Sequence, residues 1–381
     1  MKKDTRNFLE ATATLIGCII GAGIFGIPYV VVRSGFLTSL IDFLIVGIAI
    51  LMIHLYIGEI TLRTKGKHQL TGFAEKYLGK NGKALMLFAM LSGNYGALIA
   101  YMIGEGKAIK AIFGIPEIYG TLIFFVGMAI LVWFGLKVIR KWELYLSALM
   151  IFVVMVICFI CLGKINLQNL MVFKPGFESL FVPYGVLLFA CVGTVAIPDL
   201  EVEVRENKKL LKRAIIVGTI IPLLIYLFFG FCVVGVTGSL TTEVATVGLG
   251  KAIGTYMVLL GNIFAIFAMA TSFLVLALGL KWVFRYDYKF GNFNSWALTC
   301  FIPLIVVLSK ITTFVKTISI AGAVAGGLEG ILIVLMHRRA KKYGDKKFRE
   351  WIKPRILIDM ILIFIFIGGI IYTIFETMKV I

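Results

Sequence analysis

Long apolar runs cut by short polar connections organise the whole chain. Reading them in order gives eleven runs of spanning length, at about 9–31, 36–60, 84–106, 117–136, 143–163, 179–200, 210–236, 247–280, 294–309, 312–336 and 355–376. A helix needs about 20 predominantly apolar residues to cross a bilayer. No polar stretch is long enough for a separate soluble domain, and the longest basic connection, His337 to Arg355, is a short loop. The expected architecture is an all-α polytopic membrane protein with 11 transmembrane helices, forming a single domain over 1–381.

Composition strengthens this reading. Hydrophobic residues make up 60% of the chain and charged residues 15%, with a mean hydropathy of +1.00. Soluble domains run near half apolar and a quarter charged. A soluble enzyme, a disordered chain and a disulfide scaffold are all excluded. The six cysteines (Cys18, Cys158, Cys161, Cys191, Cys232, Cys300) lie inside apolar stretches, without metal-ligand spacing. The Cys158-x-x-Cys161 pair reads as helix packing. Met1-Lys2-Lys3 is a basic start without a small-residue cleavage site, so the first run is expected to be a span rather than a signal peptide.

Charge changes the picture more. The net charge of +18 would suggest nucleic acid in a soluble chain. With the N-terminus in the cytoplasm, the connections on that side carry 29 of the 38 Lys and Arg, clustered at 63–83, 137–141, 205–213, 281–289 and 338–355. The opposite side receives nine. Basic residues concentrate in cytoplasmic loops of membrane proteins. The asymmetry predicts N-terminus cytoplasmic and C-terminus outside. It removes nucleic acid as a partner and leaves the lipid bilayer in its place.

A repeat is visible. The first run holds Gly23-Ile24-Phe25-Gly26-Ile27-Pro28 and the sixth holds Gly193-Thr194-Val195-Ala196-Ile197-Pro198. Both read Gly-x-x-x-Ile-Pro. Applying the same offset lays runs 1–5 onto runs 6–10. Five spans followed by five must have opposite orientation, the mark of an inverted-topology repeat. Repeat 1 is expected at about 9–163, repeat 2 at about 179–336, and an extra helix at about 355–376. Gly and Pro together unwind a helix. Bare N–H and C=O groups at membrane depth persist only where they line a cavity or bind something. Half-helix N-termini then favour a carboxylate, and bare carbonyls an ammonium or cation.

Gly21-Ala22-Gly23-Ile24-Phe25-Gly26-Ile27-Pro28-Tyr29 resembles the first-helix signature of amino acid permeases of the amino acid–polyamine–organocation superfamily. Ala270-Thr271-Ser272-Phe273-Leu274 through Gly279, with Ile197-Pro198-Asp199 and Asn207-Lys208-Lys209, is similar to the aromatic and hydroxy amino acid permease family. The resemblance covers spans 1–10. It implies the leucine-transporter fold, in which a bundle of spans 1, 2, 6 and 7 rocks against a scaffold built mainly from spans 3, 4, 8 and 9.

It also implies a site. The substrate carboxylate would meet the backbone at Gly21, Ala22 and Gly23. The ammonium would meet carbonyls around Ile19 and from Phe189 through Ala190 to Gly193, with Phe189 gating the side-chain pocket. Span 3 would contribute Asn94, Tyr95 and Leu98. A sodium ion, in sodium-coupled members, would lie among Gly17, Ile20, Ala268, Thr271 and Ser272, all oxygen donors suited to a hard cation. The alternative for Thr271 and Ser272 is back-bonding to their own helix. Span 5 lacks the Lys that a proton-coupled branch of the superfamily places there, and related permeases with a Thr-Ser pair run on protons, so coupling stays open.

Acidic residues inside spans are costly and often functional. Asp42 and Glu105 lie near outer span ends. Glu329, among the small residues of span 10, is the foremost proton or gate candidate, with Glu59 near the inner end of span 2 as the second. His54 reads as a hydrogen-bonded core residue. Asp199, Glu201, Glu203 and Glu206 follow the sixth-helix break and read as partners for nearby bases. The expected function is secondary active transport of an amino acid, neutral and plausibly aromatic, by Na+ or H+ symport at the cell membrane. An exchanger or a transport-inactive sensor is the alternative. A channel would need a filter-like ring, which is absent from the pattern. No catalytic motif and no phosphate-binding loop is present, so neither an enzyme nor ATP-driven transport is expected, and no cofactor beyond bound Na+.

Overall fold

The computed structural model describes residues 3–135, 139–204, 207–348, 350–352 and 356–379. The basic positions Lys137, Arg205, Arg349, Lys353 and Arg355, and Glu206, lie outside the described residues, as does the side chain of Glu203. Every regular element among the described residues is helical.

The chain begins with α1 (Lys3–Ile19) and α2 (Ile27–Ser34), which are bent by 46° about a short break. It continues through α3 (Phe36–Arg63), α4 (Leu70–Phe113), α5 (Glu117–Phe134) and α6 (Ile139–Leu162). A second interrupted segment comprises α7 (Phe177–Phe181), α8 (Tyr184–Cys191) and α9 (Ile197–Val204). Then come α10 (Lys208–Thr237), α11 (Ala245–Ile253), α12 (Thr255–Trp282) and α13 (Asn292–Leu308). A π-turn at Ala321–Gly326 joins α14 (Phe314–Ile320) to α15 (Gly327–Tyr343), and α16 (Ile356–Lys379) closes the chain. Among the described residues, eight segments are long and apolar enough to cross a membrane, and the bent pair α1–α2 makes a ninth. Two shorter apolar helices, Ala148–Leu162 and Asn292–Leu308, occupy the expected fifth and ninth runs.

The run at 247–280 is not one helix. Gly254, at φ +128°, ends α11, and α12 starts beyond it. Only glycine adopts that conformation without strain, and it lets α11 fold back to pack on α12. The third run is longer than its apolar core. α4 extends from Leu70 and breaks at Gly79 (φ +77°, ψ −168°), so its first two turns leave the line of the span.

Two packing groups surround the breaks. α10 packs along α1 and α3, and α9 packs on α1 and α3. α4 packs along α12, α15, α14 and α5. Polar anchors fasten the second group. Lys281, buried on α12, donates to Val132 O (2.9 Å) and Trp133 O (3.0 Å), the last carbonyls of α5. A cation there satisfies carbonyls with no intrahelical partner and opposes the negative helix end.

At the end of the molecule carrying Arg63 and Lys65, the stretches 344–348 and 350–352 lie strapped across α3. Arg63 donates to Phe348 O and accepts the N–H of Lys346 at its own carbonyl, both at 3.0 Å. Glu59 Oε1 accepts the N–H groups of Trp351 (2.6 Å) and Ile352 (3.1 Å), and Oε2 meets His337 Nε2 at 3.0 Å. Nearby, Asp359 on α16 receives Tyr56 and Arg338, each at 2.7 Å. Asp345 accepts the N–H of Lys65 at 2.7 Å and pairs with Lys76. That N–H and the ammonium hold its carboxyl below the usual carboxylate value.

Candidate functional site

The two breaks cross at the centre of the molecule. In the first, α1 ends at Ile19, Gly21 is extended (φ −138°, ψ −162°), and a 3-10 turn Ala22–Gly26 leads into α2. In the second, α8 ends at Cys191, Val192 is extended, and a turn at Thr194–Ala196 leads into α9. The glycines permit a close crossing. A Cβ on Gly23 would lie 2.8 Å from Ala190 Cα and Cβ, and one on Gly193 would lie 2.6 Å from Ile19 Cγ1. Each glycine makes room for the other broken helix.

Neighbouring helices satisfy part of the freed backbone. Gly193 donates its N–H to His54 Nε2 at 3.1 Å. His54 Nδ1 lies 2.8 Å from Thr219 Oγ1. Since Nε2 accepts, the ring hydrogen sits on Nδ1 and is given to Thr219, so α3 and α10 hold the second break between them. Tyr226, fully buried on α10, has its hydroxyl 2.7 Å from Ile19 O and 3.1 Å from Ala190 O. Its single proton bridges a carbonyl from each break.

A cavity of about 310 Å³ lies against both breaks. Of the residues expected at the substrate site, Ile19, Gly21, Ala22, Gly23, Asn94, Phe189 and Ala190 line it. Gly17, Ile20, Thr271 and Ser272 line it too, as does Glu329. Thr271 donates to its own helix, to Phe267 O (2.9 Å) and Ala268 O (3.1 Å), the back-bonding that the sequence offers as the alternative to ion binding. Gly193, Tyr95, Ala268 and Glu59 are not in the lining. Gly193 is taken by His54, and Tyr95 turns its hydroxyl to Leu298 O on α13 at 3.2 Å. Glu59 is enclosed by the strap.

The lining includes residues that the sequence does not single out. Tyr101 lines the cavity together with Ser272. The signal was available: Asn94 and Tyr101 are seven apart and share one face of α4. Glu329 accepts a hydrogen bond from Thr194, so α15 is tied to the turn after the second break.

The cavity extends from the breaks toward the end of the molecule that carries the strap, along Ala89, Leu276 and Glu329. On the other side the breaks are sealed. Phe25 and Phe264 meet edge to face at 5.5 Å. A Cβ on Gly26 would lie 2.5 Å from Ile318 Cδ1. Phe25, Phe314 and Ile318 are fully buried.

The model of the tryptophan/tyrosine permease family matches residues 4–376. A glutamine transporter 2 of Aliivibrio fischeri is 25% identical over 81% of this chain and 83% of its own. A tryptophan-specific transport protein of Pseudomonas aeruginosa is 25% identical over 91% and 89%. The crystal structure of MhsT in complex with L-phenylalanine superposes with a TM-score of 0.62 at 15% identity, covering 97% of this chain and 98% of that one. The last likeness shows a shared fold, the leucine-transporter fold expected from the first-helix signature.

Proposed function

The chain belongs to the tryptophan/tyrosine permease family, and from that membership we propose that it is a symporter carrying a neutral, aromatic-sized amino acid across the plasma membrane with a cation. The observation that carries this is the cavity bounded by both helix breaks, with Gly21–Gly23 on one side and Phe189–Ala190 on the other. Exposed N–H groups suit a carboxylate, and exposed carbonyls suit an ammonium. The relatives named for tryptophan and glutamine support an amino acid as substrate. A volume of about 310 Å³ sits at the low end of small-molecule sites, about 300–1,000 Å³.

The topology proposed is eleven spans, in a 5+5 inverted repeat with one extra helix. The N-terminus faces the cytoplasm, and the cavity is open inward. Transport then alternates this arrangement with one in which the Phe25–Phe264 side opens. Ion and substrate drive uptake only if together they favour the occluded form more than either does alone.

Proton coupling is the first reading for the cation, because the titratable Glu329 lines the cavity and receives Thr194. Sodium is the second reading, favoured by Gly17, Ile20, Thr271 and Ser272 sharing the lining, with Ala268 beside them. The deciding experiment is uptake of a panel of radiolabelled amino acids into proteoliposomes, under an inward sodium gradient and separately an inward proton gradient. Saturable, gradient-driven accumulation is expected for an aromatic substrate. Counterflow without net accumulation under either gradient would replace the symporter by an exchanger. Binding without any flux would leave a sensor.

A further inference from the structure

Glu105 on α4 is fully buried, and neither carboxyl oxygen has a hydrogen-bond partner. It stands eleven residues beyond Asn94 and four beyond Tyr101, on the face of α4 that lines the cavity. It therefore continues the polar stripe of the cavity into the sealed side. Its neighbours on the helix fix what surrounds that level. A Cβ on Gly104 would meet Met269 Sδ on α12 at 2.6 Å and Phe314 Cε2 on α14 at 3.1 Å. One on Gly106 would meet Glu117 O of α5 at 2.9 Å. The charged or titratable groups of the elements packed around this part of α4 are Tyr101, Lys107 and Lys110 on α4 itself, Glu117 and Tyr119 on α5, Lys251 on α11, Tyr256 on α12 and Lys316 on α14. None hydrogen-bonds or ion-pairs with Glu105, and Lys107 is engaged by Glu243.

An ionised carboxylate cannot sit there. Burying one without a partner costs far more than burying the neutral acid. Gly26 of the seal and Gly104 of α4 both pack on Phe314, so Glu105 lies at the level of the seal, and parting of the Phe25–Phe264 and Gly26–Ile318 contacts would let water reach that level. Building on the transporter reading above, we propose that Glu105 is a proton-binding site that must be filled before the outer half of the pathway can close. A proton from the outer solution adds to one carboxylate oxygen, and no other bond changes. Proton occupancy and outer closure are then reciprocally linked. The coupling places a pH dependence on the outer face separate from any titration at Glu329.

The test reads the outer half directly. Ile318, buried within the seal, is replaced by cysteine in the full-length reconstituted protein, and its labelling by a membrane-impermeant maleimide is followed with inner pH fixed and outer pH varied. After correction for thiol reactivity with an exposed cysteine control, labelling should speed up as outer pH rises, by up to about tenfold per pH unit where one group titrates. In the Glu105→Gln background it should be slow and independent of outer pH. Glu105→Asp should keep the response, and it serves as the deciding variant if the Gln form does not insert. An unchanged outer-pH response in Glu105→Gln, or none in the parent or in Glu105→Asp, overturns the proposal. Because labelling needs no substrate, a failure of the transporter reading shows separately, as absent counterflow.

Discussion

His54 accepts the backbone N–H of Gly193 at 3.1 Å, so a ring on one helix terminates the unwound segment of another. The same ring meets Thr219 at 2.8 Å, and all three groups are buried or nearly so. His54→Leu strands an N–H and a hydroxyl, each costing about 1–3 kcal/mol when buried without a partner. The expected result is a clear fall in thermal unfolding temperature in detergent, together with loss of transport. Retention of wild-type melting in His54→Leu would mean that the second break does not depend on this anchor.

The Tyr226 hydroxyl serves the substrate site without lining its cavity. Tyr226→Phe keeps the ring and removes one proton donor from two carbonyls, Ile19 O and Ala190 O. With that donor gone the carbonyls lose their fixed orientation. Loss of one buried hydrogen bond, about 0.5–1.5 kcal/mol, predicts a rise in KM of roughly two- to tenfold with expression unchanged. Concentration-dependent uptake checks this. A change in maximal rate alone, at constant KM, would assign Tyr226 to the conformational step rather than to binding.

The contrast between these residues and the breaks shows what the sequence carries. Gly-x-x-x-Ile-Pro is backbone chemistry written locally, so both breaks are legible from the chain alone, while the positions Gly21–Gly23 and Phe189–Ala190 come from the family resemblance. Tyr226 lies on a long helix that is apolar on most faces, where no period marks the side turned toward the breaks, whereas Tyr101 follows from its seven-residue spacing to Asn94. Glu59 is legible as an acid near a span end, but its partners Trp351 and Ile352 lie almost 300 positions away in an irregular connection. Gly254 is hidden for another reason. The run it interrupts carries Gly248, Gly250 and Lys251 just before the turn, and glycines are common enough inside membrane helices that these residues do not by themselves mark a chain reversal.

The coupling ion is separable by two substitutions. Glu329→Gln keeps an oxygen to accept from Thr194 while removing the titratable group. Under proton coupling, accumulation driven by a pH gradient should disappear while counterflow persists. Under sodium coupling, Glu329→Gln should accumulate normally, and Thr271→Ala with Ser272→Ala should raise the sodium concentration for half-maximal uptake by tenfold or more, the effect of losing about 1.4 kcal/mol of ion binding. Paired measurements on both variants settle the matter, since each reading leaves one of them unaffected.

The strap responds to acid in a predictable direction. Asp345 is held below its ordinary carboxylate value, by the Lys65 N–H first and the Lys76 ammonium next. A depressed value in the folded form means that the carboxylate stabilises the docked strap above the ordinary carboxylate range. That contribution is lost progressively as pH falls through the ordinary value toward the depressed one. The strap end bearing Trp351 lies against α3, where a Cβ on Gly58 would come within 2.8 Å of the indole. Hydrogen exchange at the N–H groups of Lys65, Lys346 and Trp351, corrected for its intrinsic pH dependence, should lose protection on acidification. Asp345→Asn should show the weaker protection already at neutral pH and change little on acidification. If the substituted protein keeps wild-type protection at neutral pH, the strap is held by its other contacts, those of Arg63, Glu59, Lys212 and Lys341, and Asp345 only decorates its surface.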